Sequence, residues 1–345
     1  MPTIVALMAI ALALAFDFVN GFNDTANTCA TVIYTRALKP FTAILLSGIL
    51  NFLGALLIGT AVAQVITRII PAHSVSLPLV VAVLIAALIW NLTTWWFRIP
   101  ISSSHCLIGS LFGAGVVAAG INGVAWEELG KVIIALTVSP IIGFITGGLF
   151  TMAGIKISKN KAITSLSPSI GKHRNNQPVM RWLHILACSM VAFSHGSNDG
   201  QKTMGIITLI LASQFAVCGY TIHKVPFWVI FACALAIGLG TMIGGWRIIK
   251  TVGTKISKMP IADAQGFGAS MGTALVILIA SHIGAPISTT HTLNSAVAGG
   301  TIPSYGVSKL NRKTVQNILT AWVLTVPAAA TIAAICYTII RAVWI

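Results

Sequence analysis

Two short polar runs interrupt an otherwise apolar chain, and both carry carboxylate and amide side chains. The first is Gly21-Phe-Asn23-Asp24-Thr-Ala-Asn27 and the second is Gly196-Ser-Asn198-Asp199. Their oxygens make a hard site suited to a small cation or a proton. A further pair of runs carries no acid: Pro100-Ile-Ser102-Ser103-Ser104-His105 and Pro286-Ile-Ser288-Thr289-Thr290-His291. Proline starts helices and Ser/Thr caps them. Each run therefore reads as a helix N-terminus, with free N–H groups, positive dipole character and added hydroxyl donors. Two such ends facing each other make an oxyanion site without Lys or Arg. An oxyanion beside two carboxylates is repelled unless cations or protons neutralise Asp24 and Asp199, or unless the anion arrives as a neutral metal complex. Coupled cation and anion binding follows, and symport is its natural mechanism. The structural alternatives are a polar network that only ties helices together and plain capping at a membrane boundary. Recurrence of both patterns weighs against them.

Other groups are less determined. His105 and His291 either contact the anion or a proton, or pack helices. His195 is a weaker proton candidate. Lys202 neutralises Asp199, contacts the anion or snorkels toward the cytoplasm. Six scattered cysteines with no CxxC spacing read as small apolar side chains.

The elements that position these groups lie in a membrane. The chain has 345 residues, 56% hydrophobic and only 8% charged, against about 25% charged in an average soluble domain. Too few charges are present to face water, which excludes a soluble enzyme, a disordered chain and a nucleic-acid-binding module. Lys and Arg number 21 against 6 Asp and Glu, a formal +15. The basic residues fall mainly between apolar segments, as cytoplasmic loops do.

A spanning helix needs about 20 mostly apolar residues. Candidate spans are 3–19, 41–66, 77–97, 101–120, 131–155, 182–194 with a continuation to 219, 226–246, 263–283, 286–306 and 315–342, ten to twelve helices in all. Segments 3–38 and 182–219 exceed one span, and a break is expected within each, Gly21 allowing local unwinding. The region 156–181 holds six basic residues and no acid. Further basic clusters are Arg247, Lys250, Lys255 and Lys258, then Lys309, Arg312 and Lys313. With these inside and Glu127 and Glu128 outside, each half has five crossings. An odd number gives the halves opposite orientations. The N-terminus lacks a basic region before its apolar run, so the first segment is expected to remain as a span.

The halves also share sequence. Phe18-Val-Asn-Gly-Phe-Asn-Asp aligns with Phe193-Ser-His-Gly-Ser-Asn-Asp, an offset of 175 from Phe18 to Phe193. Pro100-Ile-Ser-Ser-Ser-His aligns with Pro286-Ile-Ser-Thr-Thr-His, an offset of 186. A weaker match sets Gly59-Thr60 beside Gly240-Thr241. The expected fold is an all-α polytopic membrane protein of two inverted-topology repeats with discontinuous or re-entrant segments. The first repeat covers 1–155, a basic cytoplasmic loop 156–181, and the second repeat 182–345. Secondary transporters have this architecture, with a site at discontinuous helices near the membrane middle.

These motifs carry a family resemblance. Gly21-Phe-Asn-Asp-Thr-Ala-Asn27 with Thr31-Val-Ile-Tyr-Thr-Arg-Ala37, and Ser194-His-Gly-Ser-Asn-Asp-Gly-Gln-Lys202, resemble the paired signatures of the Pit inorganic phosphate transporters. The two Pro-Ile-Ser runs, Thr241-Met-Ile-Gly-Gly-Trp246 and Arg312-Lys-Thr-Val-Gln316 also fit, nearest the bacterial low-affinity branch. The resemblance implies phosphate uptake across the bacterial inner membrane by a multi-pass protein, coupled to H+, with phosphate moving as a neutral complex with a divalent metal such as Mg2+. It also implies that Na+-coupled relatives carry Glu where this chain has Asn51, which favours H+. Carried over by position, Asn23, Asp24, Asn27, Asn198 and Asp199 would serve the coupling ion. Ser102, Ser103, Ser104, Ser288, Thr289 and Thr290 would donate to phosphate oxygens. No cofactor and no dedicated protein-only metal site are expected. Phosphate and membrane lipid are the expected partners, and a homodimer stays open.

Sulfate is the rival substrate, since the donors do not distinguish tetrahedral oxyanions by type, and Na+ is the rival ion. An intramembrane Ser/His hydrolase lacks a third orienting acid in either copy, and a channel does not call for paired inverted motifs. Asp24→Asn and Asp199→Asn are each expected to abolish uptake with membrane insertion intact, read by transport assay beside membrane-fraction blots. Full transport in either variant removes that carboxylate from the mechanism.

Overall fold

The computed structural model describes residues 4–71, 74–160, 178–216, 224–245, 248–250, 253 and 256–344. Most of the 156–181 loop, Arg247, Lys255 and Trp246 lie outside the described residues. The described chain is helical, and its β pairing is a single bridge between Ser257 and Leu310.

Eleven α-helices occur among the described residues: α1 (Ile4–Tyr34), α2 (Pro40–Leu57), α3 (Ala61–Arg68), α4 (Leu77–Trp96), α5 (Ser103–Ala119), α6 (Trp126–Lys159), α7 (Pro178–Ala216), α8 (Phe227–Ile243), α9 (Asp263–His282), α10 (Thr289–Tyr305) and α11 (Arg312–Trp344). Six of them, α1, α2, α4, α6, α9 and α11, are long and apolar enough to cross a membrane. The order repeats: a long helix (31 and 39 residues), an intermediate one (18 and 17), one of 20, one of 17, and a long closing helix (34 and 33).

Close packing repeats as well. Gly21 on α1 lies against the backbone of Ile237 on α8, and Gly196 on α7 lies against Asn51 on α2. Gly240 meets Phe18, and Gly54 meets Phe193. At each of these four positions a Cβ would collide with a backbone carbonyl. Gly113 of α5 against Ala330 of α11 is matched by Gly299 of α10 against Phe144 of α6. Gly240 therefore corresponds to Gly54, not to Gly59. Gly59 follows the end of α2 at φ +94 with open space around it; a turn selected it, whereas close packing selected Gly240.

The closing helices are exchanged between halves. α6 packs on α9 and α10, and α11 packs on α4 and α5. Gly143 and Gly147 of α6 meet Thr292 and Ala296 of α10 in the same order, so α6 and α10 run parallel. Since α6 returns from α5 after a short connection, α5 and α10 run in opposite directions.

The breaks expected within 3–38 and 182–219 are absent among the described residues. α1 and α7 continue unbroken through the Asp motifs, because Gly21 and Gly196 admit a neighbouring backbone instead of unwinding. The interruptions lie at 97–102, between α4 and α5, and at 283–288, between α9 and α10. Full crossings would put these connections at opposite membrane faces, yet they touch: the Ser104 hydroxyl donates to the Ile287 carbonyl at 2.9 Å. Each pair α4–α5 and α9–α10 is thus a re-entrant hairpin whose tip reaches the middle of the bundle. Three crossings per half remain, in place of five. The number stays odd, so the opposed orientation survives. Irregular backbone at this depth is tolerated because protein polar groups receive it.

The basic ends converge. Arg181 donates to the Ala37 carbonyl beside Arg36 and Lys39, and the Lys258 N–H donates to the Lys309 carbonyl. The cysteines are free among the described residues. Gly196→Ala is expected to destabilise by about 1–3 kcal/mol through overpacking. Gly130→Ala, in a helical position with no neighbour within 4 Å, should be neutral or up to about 1 kcal/mol stabilising. Thermal unfolding midpoints in detergent check both.

Candidate functional site

The hairpin tips are built from their own sequence. Ser102 is the N-cap of α5, its hydroxyl accepting from the His105 N–H at 3.1 Å. Ser288 does the same for the His291 N–H on α10, also at 3.1 Å. The next hydroxyls, of Ser103, Ser104, Thr289 and Thr290, are left to face inward with the first helical N–H groups, which have no intrahelical acceptor. All six Ser/Thr residues are buried.

The unbroken helices α1 and α7 bring the carboxylates to these tips. Asp24 accepts from the Thr290 hydroxyl at 3.1 Å, and Thr290 in turn accepts from the Asn27 amide at 2.8 Å. Asp199 accepts from the Thr289 hydroxyl at 3.4 Å and from the Asn20 amide at 3.5 Å. Ser103 donates to the Asn20 Oδ1 at 2.5 Å. Each carboxylate thus reaches a hydroxyl of the α10 tip, and Asn20 links Asp199 to the α5 tip.

Two cationic or proton-bearing groups sit among them. The Lys202 Nζ lies 2.5 Å from the Asp199 Oδ1 and donates to the Ser104 hydroxyl and to the Ile287 carbonyl at 2.8 Å. It therefore holds both tips and one carboxylate, and being buried it does not snorkel. His195 Nε2 is 3.3 Å from Asp24 and 3.4 Å from Asp199. Its Nδ1 lies 2.6 Å from the Asn51 Oδ1, whose amide is committed to the Ser47 carbonyl. Nδ1 therefore carries a hydrogen toward Asn51, and Nε2 faces the carboxylates, either donating a proton to them or accepting a cation.

The amides divide by function. Asn198 latches the α9–α10 tip, donating to the Ala285 carbonyl at 3.1 Å and accepting from the Ile287 N–H at 3.3 Å. Asn23 donates to the Asn91 carbonyl on α4 at 3.4 Å. Among the described residues, Asn23 Oδ1 and Asn27 Oδ1 accept no hydrogen bond. Beside Asp24 these oxygens are available to a small hard cation. Atoms of Asp24, His195 and Asp199 also come within 4.8 Å of one another, close enough to share one ion. His105 and His291 stand behind the tips: their rings lie 4.3 Å apart, and His291 stacks on Trp322 at 3.6 Å.

Fold and site together match known proteins. The PHO4 phosphate transporter family covers residues 20–333. This chain belongs to that family. It is 40% identical over 344 residues to a probable low-affinity inorganic phosphate transporter of Bacillus subtilis, covering 99% of this chain and 98% of that one. It is 32% identical to the low-affinity inorganic phosphate transporter PitA of Escherichia coli, covering 94% of each. A solved structure described as the sodium-dependent phosphate transporter superposes with a TM-score of 0.86 at 27% identity, covering 99% of this chain and all of the other. The chain is accordingly a multi-pass membrane transporter of the phosphate family and not an enzyme.

Sequence reasoning passed over Asn20 and the bridging position of His195. One signal was present: the 175-residue offset pairs Asn20 with His195, and Asn27 with Lys202. The orienting contact of Asn51 with His195 joins residues 144 apart and has no local signature.

Lys202→Met leaves Asp199 buried beside a smaller set of donors and should lower stability by about 3–5 kcal/mol. Adding Asp199→Asn should recover much of that loss without restoring transport. Unfolding midpoints and phosphate uptake of the two variants check this.

Proposed function

We propose that the protein takes up inorganic phosphate by H+ symport, alternating access to a site between the tips of α5 and α10. The observation that carries this reading is the meeting of two capped helix N-termini across Lys202, with the α10 hydroxyls of Thr289 and Thr290 bonded to Asp199 and Asp24 and the α5 hydroxyls of Ser103 and Ser104 bonded to Asn20 and Lys202. Helix N-termini and hydroxyls favour a tetrahedral oxyanion, and Lys202 adds a positive charge. Protonation is the simplest neutralisation of the carboxylates at the moment an anion arrives. His195, fixed by Asn51 between both carboxylates, is suited to share that proton.

In this reading Ser103, Ser104, Thr289 and Thr290 donate to phosphate, while Ser102 and Ser288 shape the tips as caps. Asn198 positions the second tip. Phosphate travels as a neutral complex with a divalent metal such as Mg2+, which cancels its charge before it meets the carboxylates. The basic ends of the bundle face the cytoplasm under the positive-inside rule. A second reading replaces H+ by Na+: the unpartnered oxygens of Asn23 and Asn27 beside Asp24 are ligands Na+ would accept. Sulfate offers the same tetrahedral shape but cannot donate a proton to Asp24 or Asp199.

Purified protein in liposomes, given labelled phosphate, tests these readings. A pH gradient should drive accumulation, Mg2+ should stimulate it, and sulfate should compete poorly. Uptake that needs Na+ and ignores pH would overturn the proton assignment while keeping the site. Transport of sulfate in place of phosphate would overturn the substrate.

A further inference from the structure

Asp17 is the acid that the site described above leaves unused. It lies on α1 seven residues before Asp24, about 10 Å along the helix, and is fully buried. Among the described residues, neither of its carboxylate oxygens has a hydrogen-bond partner. Thr203 on α7 and Cys233 on α8 face it, and Asp199 and Lys202 on α7 are the charges that act on it. The helices α2 and α4, also packed on α1, bring no titratable side chain. His195 stands beyond Asp199, one turn back along α7.

An ionised carboxylate in such a place has no hydrogen bond to hold its charge, and Lys202 is already paired with Asp199. A bound proton removes the charge and supplies a donor for its surroundings. A metal ion or Na+ is poorly served there: one hydroxyl and one thiol do not form an oxygen cage. The 175-residue repeat offset puts Ala192 opposite Asp17. The carboxylate thus occurs in one half only, whereas the Asp24 and Asp199 pair occurs in both. A repeated scaffold does not require it. Asp17, Asn20 and Asp24 fall on one face of α1, about one to two turns apart, and Asn20 reaches Asp199, so Asp17 stands on the face of α1 that carries the site.

We propose that Asp17 is a proton-binding site of the transport cycle, separate from the phosphate site and on its extracytoplasmic side. Its carboxylate takes a proton from outside water, forming an O–H bond, and gives that proton up to cytoplasmic water in the inward-facing state. The proposal rests on the H+-symport reading above.

The test uses the full-length protein in liposomes with a pH-sensitive dye trapped inside. Wild-type protein, Asp17→Asn and Asp17→Glu are compared in two assays: phosphate exchange with no gradient, and accumulation driven by a pH step. Asp17→Asn should keep exchange at the wild-type level and carry fewer protons per phosphate. Loss of one coupled proton lowers the limiting accumulation about tenfold for a pH step of about one unit. Asp17→Glu, which still binds a proton, should restore coupling in part. An Asp17→Asn protein that accumulates phosphate with the wild-type proton ratio overturns the proposal. So does one that folds, as judged by its unfolding midpoint, but loses exchange as well, since Asp17 would then serve binding or packing. If wild-type protein moves no protons with phosphate, the symport reading itself fails, and the dye signal of the wild type shows this independently of any variant.

Discussion

Two carboxylates in the middle of an apolar bundle set the terms for everything around them. Asp24 and Asp199 are each about as buried as a core leucine, and a charge so placed survives only with partners. The partners come from both halves. Thr289, Thr290, Asn20, His195 and Lys202 reach the pair from α10, α1 and α7. None of these helices could supply the set alone. The need to satisfy two buried acids is therefore also what holds the halves in register.

That register demands close backbones, and the glycines provide them. Gly21 and Gly196 each sit three residues before the Asp of their motif and press against a carbonyl of a neighbouring helix. Side chains at those positions would push α8 and α2 outward. With α2 would go Asn51, and His195 would lose the contact that fixes which nitrogen faces the carboxylates. The hairpin tips depend on a different device. Pro100 and Pro286 lack an N–H, and Ser102 and Ser288 satisfy the third helical N–H. The breaks therefore leave few unsatisfied groups at a depth where water cannot help.

The fold class, the family and the polar runs that the structure brings together were legible because they rest on local facts: acids that apolar surroundings make conspicuous, Pro-Ser runs that start helices, and a motif order that recurs. The breaks at 97–102 and 283–288 were legible in the Pro-Ser runs; the unbroken course of α1 and α7 through the Asp motifs was not. From local sequence Gly21 reads as a point of unwinding, and in the structure it is a point of contact. Both uses exploit the same missing Cβ, and local sequence does not say whether a backbone stands opposite. The two offsets, 175 and 186, had a similar ambiguity. They differ because α7 is longer than α1 and its connection to α8 is longer than that between α1 and α2, which misled the pairing of Gly59 with Gly240. Length alone does not separate a hairpin arm from a crossing: α4 is 20 residues long, and only the meeting of its end with another hairpin distinguishes the two.

Under the proposed symport, the hydrogen-bond arithmetic of the site ties ion to anion without any moving part. Each hydroxyl of Ser103, Thr289 and Thr290 has one proton to donate, and here those protons are given to Asn20, Asp199 and Asp24. In the proposed reading a phosphate oxygen at the tips takes them over. The carboxylates then lose donors at the moment a new negative charge approaches, and an ionised Asp24 or Asp199 becomes harder to keep. A proton or cation on either acid removes that conflict, since a neutral acid no longer needs the hydroxyl and can itself donate. In that reading each ligand improves the site for the other, and linkage makes the effect equal in both directions. Lys202 limits how far this can go. It holds Asp199 and Ser104 together, so one acid keeps a permanent counter-charge while Asp24 has only the shared His195. The two halves repeat in sequence, but the partners they give the two acids are asymmetric, and under the proposed symport Asp24 is the acid more dependent on what the anion brings with it.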